Sequence, residues 1–512
     1  MTIVKESLIC RFIMTCWSWL WAAYDSSNLA RAVRWIAEGW KGWWHGSVLV
    51  HFWIEREGTL PRIWPDSLSC KLLTALINLP ANLLHWIYKK FQKAFDSSFF
   101  ANLTFEAGES VPIAAGWGIL LIMNIPYSHW NNAYSLAGFS LLLLMTMAGG
   151  MRRKSLRLDV VNIGPYLVCF LLAVVLSWPM SLVPGLSFRY LYYHAACALC
   201  VVVIVSTVER PEQLERLSAF VCLGMAGASL YGIYQRIQGV EVNRHYVDMT
   251  INAGMPGRID SFYDNPNSFA EMLGLLIPIG IGLLLGAKKK RYRLIGLASA
   301  SLGSVALIMT YCRASWIGLV ASAVVFVFLW YRKLLPALFV LAIAAVPFLP
   351  STIMTRLLSI FNKNDTSTNS RIPIYQGALR TIRIYPLLGI GLGRDVVQQT
   401  IQKLGTYGSA GMFIHAHNIF LQLWLEHGIL GAVAFAASIY HCLKQGAKAA
   451  LLPNRSTPVR LMVIGAVSGL AGGVVSGLAD YLFTYPRVML IFWITVSLLL
   501  AGVKLARKEP QA

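Results

Sequence analysis

The sequence predicts an all-α integral membrane protein of about twelve transmembrane helices, with a large extracytoplasmic loop that itself carries helices. Three observations carry this. Of the 512 residues, 56% are hydrophobic and only 13% charged, where a soluble chain carries about a quarter charged residues. Apolar runs of about 20 residues recur from residue 111 to the C-terminus, each long enough to cross a ~30 Å hydrocarbon core. Basic residues gather in the short loops between those runs.

The runs fall at roughly 110–126, 132–149, 159–182, 190–207, 216–236, 268–286, 294–311, 314–331, 334–350, 416–441, 460–482 and 488–504. The loops "MRRKSLR", "AKKKRYR", "YRK", "KQGAKAALLPNRSTPVR" and "KLARK" then all fall on one side, which the positive-inside rule makes cytoplasmic, with both termini inside. The net charge of +21 therefore reflects topology and contact with anionic lipid, not nucleic acid. The nine cysteines are scattered, and "CALC" (Cys197, Cys200) lies inside an apolar run, so neither a disulfide framework nor a zinc knuckle is expected. The N-terminus lacks the small-residue cleavage site of a secretory signal.

Residues 1–108 read differently from 109–512. Ten of the 17 tryptophans lie there among Lys, Arg and Glu, which suggests short amphipathic helices on the cytoplasmic leaflet, with a small cytosolic helical domain as the alternative. In the membrane domain, two long loops face outward, 237–267 and 351–415. Within the second, Ile372, Tyr375, Ala378 and Ile382 recur at helical spacing. Pro386 and the glycines of "LLGIGLGR" end that helix in a tight turn, since they lack the strand and spacing of a dinucleotide fingerprint.

The outer loops and helix ends hold Arg244, Arg258, Arg313, Arg356, Arg371, Arg380, Arg383 and Arg394, against few lysines, Lys363 and Lys403 among them. Guanidinium forks suit bidentate binding of phosphate oxygens. The cluster is thus a candidate diphosphate site, or else it binds headgroups and pairs with Asp260, Asp264 and Asp395. "FIHAHNIFLQLWLEHGILG" opens an apolar run with two histidines. His415 and His417 are either boundary residues or, at a near-neutral pKa, sources of a general base. Two residues apart, they would not share a metal on a helix, and no third ligand stands nearby in the sequence. Glu426 and His427, deeper in the run, are structural or form a proton path.

Four stretches, "RIDSFYDNPNSFAEMLGLLIP", "CRASWIGL", "RIPIYQGALRTIRIYPLLGIGLG" and "HAHNIFLQLWLEHGILGAV", occur in the order seen in the O-antigen ligase/polymerase family. The last resembles that family's signature: His417, Asn418, nine residues, then Gly428 and Gly431. The resemblance covers about 110–505. It implies a metal-independent, cofactor-free inverting glycosyltransferase in the bacterial cytoplasmic membrane. Such an enzyme moves a glycan from undecaprenyl diphosphate to a hydroxyl of a glycan, lipid or protein acceptor on the outer face. On that analogy His417 is the general base, and Arg258 and Arg313 hold the diphosphate with help from Arg371. Asn265, Asn267, His415 and Asn418 then belong to the substrate site, the asparagines touching sugar or capping helices. Ligase, polymerase and protein O-oligosaccharyltransferase readings share this donor chemistry. A polysaccharide or lipid transporter is the rival from another class, though no repeat of two six-helix halves is visible.

Overall fold

The computed structural model describes residues 58–508 except 153–156, 244–254, 360–368, 409–412 and 453–456, together with scattered positions between 15 and 56. Arg244, Lys363 and most of the expected Trp-rich amphipathic segments lie outside the described residues. The chain divides into two compact units, Met1–Ile63 and Trp64–Ala512. The larger holds every residue considered below, including the Leu79–Lys90 and Phe99–Glu109 helices, which pack on Ala133–Arg152.

Among the described residues there is no strand. Nine helices are long and apolar enough to cross a membrane, or up to ten if the bent pair Phe99–Gly108 and Val111–Asn124 is one span. The protein is an all-α, multi-pass membrane protein. Every expected apolar run lies on helix, yet not every run makes a span of its own. The run at 159–182 is split at Gly164 into Val160–Ile163 and the 13-residue Pro165–Ser177. The runs at 314–331 and 334–350 join into one helical stretch, Arg313–Phe348, of 36 residues.

That stretch does not run straight. A continuous 36-residue helix would be about 54 Å long. Yet Arg356, eight residues past its end, donates from Nε to the carbonyl of Tyr311, just before its start, at 3.3 Å. Arg313 Nη1 likewise reaches Ser359 Oγ at 2.8 Å. The chain must therefore double back, and the break is at Tyr331, whose φ of −155° and ψ of 84° are not helical. The basic residues Arg332 and Lys333 sit at this bend, as the sequence expects. The returning Leu335–Ala345 helix buries none of its residues, and an apolar helix so exposed faces lipid.

The core is the opposite case. Every residue of the Pro486–Lys508 helix from Arg487 to Ala506 is buried, so this helix runs through the middle of the bundle. It packs on Pro184–Thr207 and Pro458–Gly477, and the latter packs closely on Pro266–Gly286 and Arg313–Tyr331. Small residues allow the approach: a Cβ on Gly469 would stand 2.1 Å from the carbonyl oxygen of Leu275. Hydrocarbon offers no hydrophobic drive between helices, so such close packing supplies their association. At one end of the bundle the N-termini of Pro266–Gly286, Arg313–Tyr331, Ile419–Leu451 and Pro486–Lys508 come together, joined by the hydrogen bonds of their caps and flanking turns.

The long second loop carries two helices, Arg371–Ile384 and Arg394–Leu404. The first buries Ile374, Ala378 and Ile382 against Ile390, Val397, Ile401, Phe413 and Leu425. Its inner face is rotated slightly from the one the spacing suggests: Ile372 is exposed, and Ile374 takes its place. The glycine turn then plugs into the Ile419–Leu451 helix. At Gly428, φ 66° and ψ −174° break that helix, and its freed carbonyls are taken up. Ile390 N–H donates to Leu425 O at 2.8 Å, Gly391 N–H to Glu426 O at 3.2 Å, and Ile429 N–H to Pro386 O at 2.9 Å. Unpaired backbone in a membrane bundle is tolerated only when another segment satisfies it.

A Cβ at Gly428 would lie 2.0 Å from Leu387 O, so the first glycine of the Gly-x-x-Gly pair is a docking slot. Gly405 has a similar φ of 62° but nothing within 4 Å of its Cβ position. Gly405→Ala should cost only the backbone strain, of order 1–3 kcal/mol. Gly428→Ala should lower the melting temperature in detergent clearly further and expose the 386–391 turn to proteolysis. Equal melting temperatures for the two variants would contradict the docking role.

Candidate active site

The site is organised by a residue that the sequence reading passes over. Asp480 follows the Pro458–Gly477 helix in the short connection to Pro486–Lys508 and is buried. Its Oδ1 lies 3.2 Å from His415 Nε2 and 3.1 Å from His417 Nδ1, and it also accepts from its neighbour's backbone N–H, Tyr481, at 2.8 Å. Its Oδ2 accepts from Asn267 Nδ2 at 3.3 Å. Burial alone raises the Asp480 carboxyl, but the hydrogen bonds from the two imidazoles hold it well below the ordinary carboxylate range. Asp480 is therefore ionised and accepts only.

That fixes the tautomers. His417 donates its Nδ1–H to Asp480, which leaves the Nε2 lone pair as the basic atom. His415 donates through Nε2. Burial pulls the His415 pKa down, and it is nearly enclosed where His417 keeps 31% of its side chain exposed. Of the pair, only His417 offers a free basic nitrogen to a substrate. The rings stand 4.0 Å apart, because residues 413–418 are not helical.

Asn418 starts the next helix. Its Oδ1 accepts from Phe420 N–H and Leu421 N–H, both at 3.1 Å, and its Nδ2 donates to Leu478 O. The asparagine of the signature thus caps the helix and ties it to the Asp480 turn. His417 itself has φ 44°, as forced by the sharp step from the His415 loop into the cap. Among the described residues, the other non-glycine positions with positive φ are Ser261, Asp264 and Tyr311, all in segments that meet at this end. Strained backbone of this kind gathers at functional sites.

The arginines converge from the other side. Arg258 is buried; its Nε donates to Thr310 O at 2.6 Å, and its Nη2 donates to Asn267 Oδ1. Asn267 thus links Arg258 to Asp480 and so to both histidines. Arg356 binds Tyr311 O, and Arg313 opens the helix that follows. Arg258, Arg313 and Arg356 therefore gather around the turn 310–313. Arg371 begins a helix with no acidic residue in its first turn, a position where a cation is unfavourable without an anion. One turn on, Tyr375 Oη donates to the carbonyl of His417 at 3.4 Å. Asn265 is a cap, its Oδ1 facing Asn267 N–H and Ser268 N–H and its Nδ2 donating to Tyr485 Oη. Arg394 lies 3.5 Å from Asp395, which also pairs with Arg189 at 2.7 Å, and its guanidinium stands 5.7 Å from the ring of Tyr485, the partner of Asn265. Arg380 and Arg383 are exposed.

His415 and His417 are in a loop, the arrangement that would let both face one point, and Asp480 is a third candidate ligand that the sequence alone does not offer. Ligand atoms of the three lie within 4.8 Å of one another, as do those of the buried His194, Glu426 and His427.

Residues 297–436 match a family model described as O-Antigen ligase. Over that stretch, about a quarter of its length, the chain is similar to the O-antigen ligase family. A search of curated proteins finds no match to the chain. The matched stretch contains Arg313, Arg371, His415, His417, Asn418 and the Gly428–Gly431 pair. Arg258, Asn265, Asn267 and Asp480 lie outside it and are joined to it by the contacts above. The match supports a membrane protein of the glycan ligase/polymerase kind.

Asp480 was missed because its partners are more than 60 residues away in sequence. Its one local sign is an acidic residue ending an apolar run, in "GLADYLFTYPR". Asp480→Asn keeps the shape but removes the fixed acceptor, so His417 loses its tautomer. The rate of glycan transfer should fall on the order of 10²-fold or more, with the protein folded and inserted. A variant transferring at near the wild-type rate would show that the carboxylate does not orient the base.

Proposed function

We propose that this protein transfers a glycan from undecaprenyl diphosphate to an acceptor hydroxyl on the outer face of the bacterial cytoplasmic membrane. His417 is the general base, and Arg258 and Arg313, with Arg371, hold the diphosphate. The observation that carries this is the His417–Asp480–Asn267–Arg258 chain, which sets a basic nitrogen and an anion-binding group on one carboxylate. Four helix N-termini meet at the same end, and they add positive potential for the diphosphate. In this reading both chain termini are cytoplasmic, and residues 1–108 form an interfacial region outside the catalytic unit.

The acceptor oxygen attacks the anomeric carbon opposite the diphosphate and gives its proton to His417 Nε2. The anomeric carbon–oxygen bond to phosphate breaks, its electron pair leaves with undecaprenyl diphosphate, and the anomeric configuration inverts. Arg258, held by the Thr310 carbonyl, and Arg313, held by the Ser359 hydroxyl, need little reorganisation as charge grows on the leaving group. Asp480 stabilises the imidazolium until its proton passes to water.

His417→Ala should fold, bind lipid-linked donor and leave it unused, with transfer reduced by about 10²–10⁴-fold. Arg258→Lys keeps charge but loses the fork and should weaken donor use, with Arg258→Ala worse. Release of undecaprenyl diphosphate reads both, and near wild-type transfer by His417→Ala would end the base assignment. The donor geometry of His415, His417 and Asp480 favours a metal as the one other reading. Transfer should survive dialysis against EDTA; loss on chelation with recovery on adding zinc would replace the base with a metal site.

A further inference from the structure

We propose that Gln422, Glu426 and Tyr481 are positioning residues for transfer, closing a ring of hydrogen bonds that holds His417 in place. The proposal rests on His417 as the base and goes beyond it to residues that no substrate touches. Ala416 N–H, in the peptide that joins His415 to Ala416, donates to Gln422 Oε1 at 2.8 Å. Gln422 Nε2 donates to Glu426 Oε1 at 2.9 Å. Tyr481 Oη donates to the same Glu426 oxygen at 2.9 Å. Tyr481 N–H donates to Asp480 Oδ1, which holds both histidines and returns the ring to Ala416.

The residue types fit this ring and little else. Gln422, Glu426 and Tyr481 are 0%, 1% and 3% exposed, and burying a carboxylate and an amide among apolar helices is costly unless both are bonded. Gln422 must accept from a backbone N–H and donate to a carboxylate, which an amide does and a carboxylate or hydrocarbon does not. Its spacing of four from Glu426 puts the two on one helix face. Glu426 is the common acceptor for the two arms, one from the His415–His417 loop and one from the Asp480 turn. Its backbone carbonyl also accepts from Gly391, so the glycine turn of the long loop is tied in as well. A non-glycine residue at φ 44° stays there only if its surroundings over-determine it. The ring does so at Ala416, the residue before His417.

The test uses full-length protein in nanodiscs and the host's extracted lipid-linked glycan, with kcat and donor KM measured by undecaprenyl diphosphate release. Gln422→Glu sets two carboxylates face to face and should lower kcat on the order of 10²-fold while donor KM stays within about twofold. Combining it with Glu426→Gln restores the pattern in mirror image. The carboxylate now at position 422 accepts from Ala416 N–H and from the amide nitrogen now at position 426, whose second N–H donates to Tyr481 Oη, since both partners face the one atom of residue 426. The double variant should recover kcat to within about tenfold of wild type. If Gln422→Glu proves unstable, the double variant still decides, since a ring predicts recovery of both folding and rate. A double variant no faster than the single, a single variant at wild-type kcat, or a change confined to donor KM would each overturn the proposal. An active His417→Ala would instead remove the reading beneath it. An inactive His417→Ala beside a fully active Gln422→Glu would remove the ring alone.

Discussion

The interaction on which the rest of this site depends is the buried carboxylate of Asp480. A charge taken out of water at a helix junction is expensive, and it persists only when several donors converge on it. Here those donors come from three directions: the histidine loop, the asparagine of the Pro266–Gly286 helix, and the backbone of Tyr481. The cost of the charge is offset by bonds that also fix the geometry. Because the carboxylate accepts only, each partner's proton is assigned, and the basic nitrogen of His417 is defined by a residue 63 positions away.

The bilayer imposes the second constraint. A helix broken in the middle of a bundle frees backbone groups that lipid cannot satisfy, so the break at Gly428 exists only because the 386–391 turn fills it. The same insertion carries the Arg371–Ile384 helix onto the site, where Tyr375 reaches the His417 carbonyl. The nine-residue interval in the signature thus separates two jobs on one helix. Its start caps the helix that follows His417, and its glycine receives the loop that brings the Arg371–Ile384 helix.

Much of this was legible in the sequence. The apolar runs all fall on helix, and the bend at "YRK" is required by the contacts of Arg313 and Arg356 with the far end of the hairpin. Arg258, Arg313, His415, His417 and Asn267 are brought together, while Asn265 and Asn418 cap helices. What stayed hidden depends on tertiary contact. Hydropathy sees the 159–182 run as one span, but the break at Gly164 is a matter of local φ of 86°. Arg394 and Arg258 look alike in sequence, yet one is paired with Asp395 and the other bonds Thr310 and Asn267. Asp480, Gln422 and Tyr481 carry no motif, and only folding sets them around the histidines.

The place of the site at the helix ends follows from the same physics. A base and several guanidinia would be prohibitively costly at mid-bilayer, whereas helix termini offer unpaired N–H groups, polar caps and access to water. Four N-termini at one end give a positive field that suits an anionic group anchored by a lipid chain. A diphosphate tethered to the bilayer stays at that depth, so the base need not travel to it. His417, half-open at the head of its helix, stands where the chain's electrostatics and the substrate's anchor coincide.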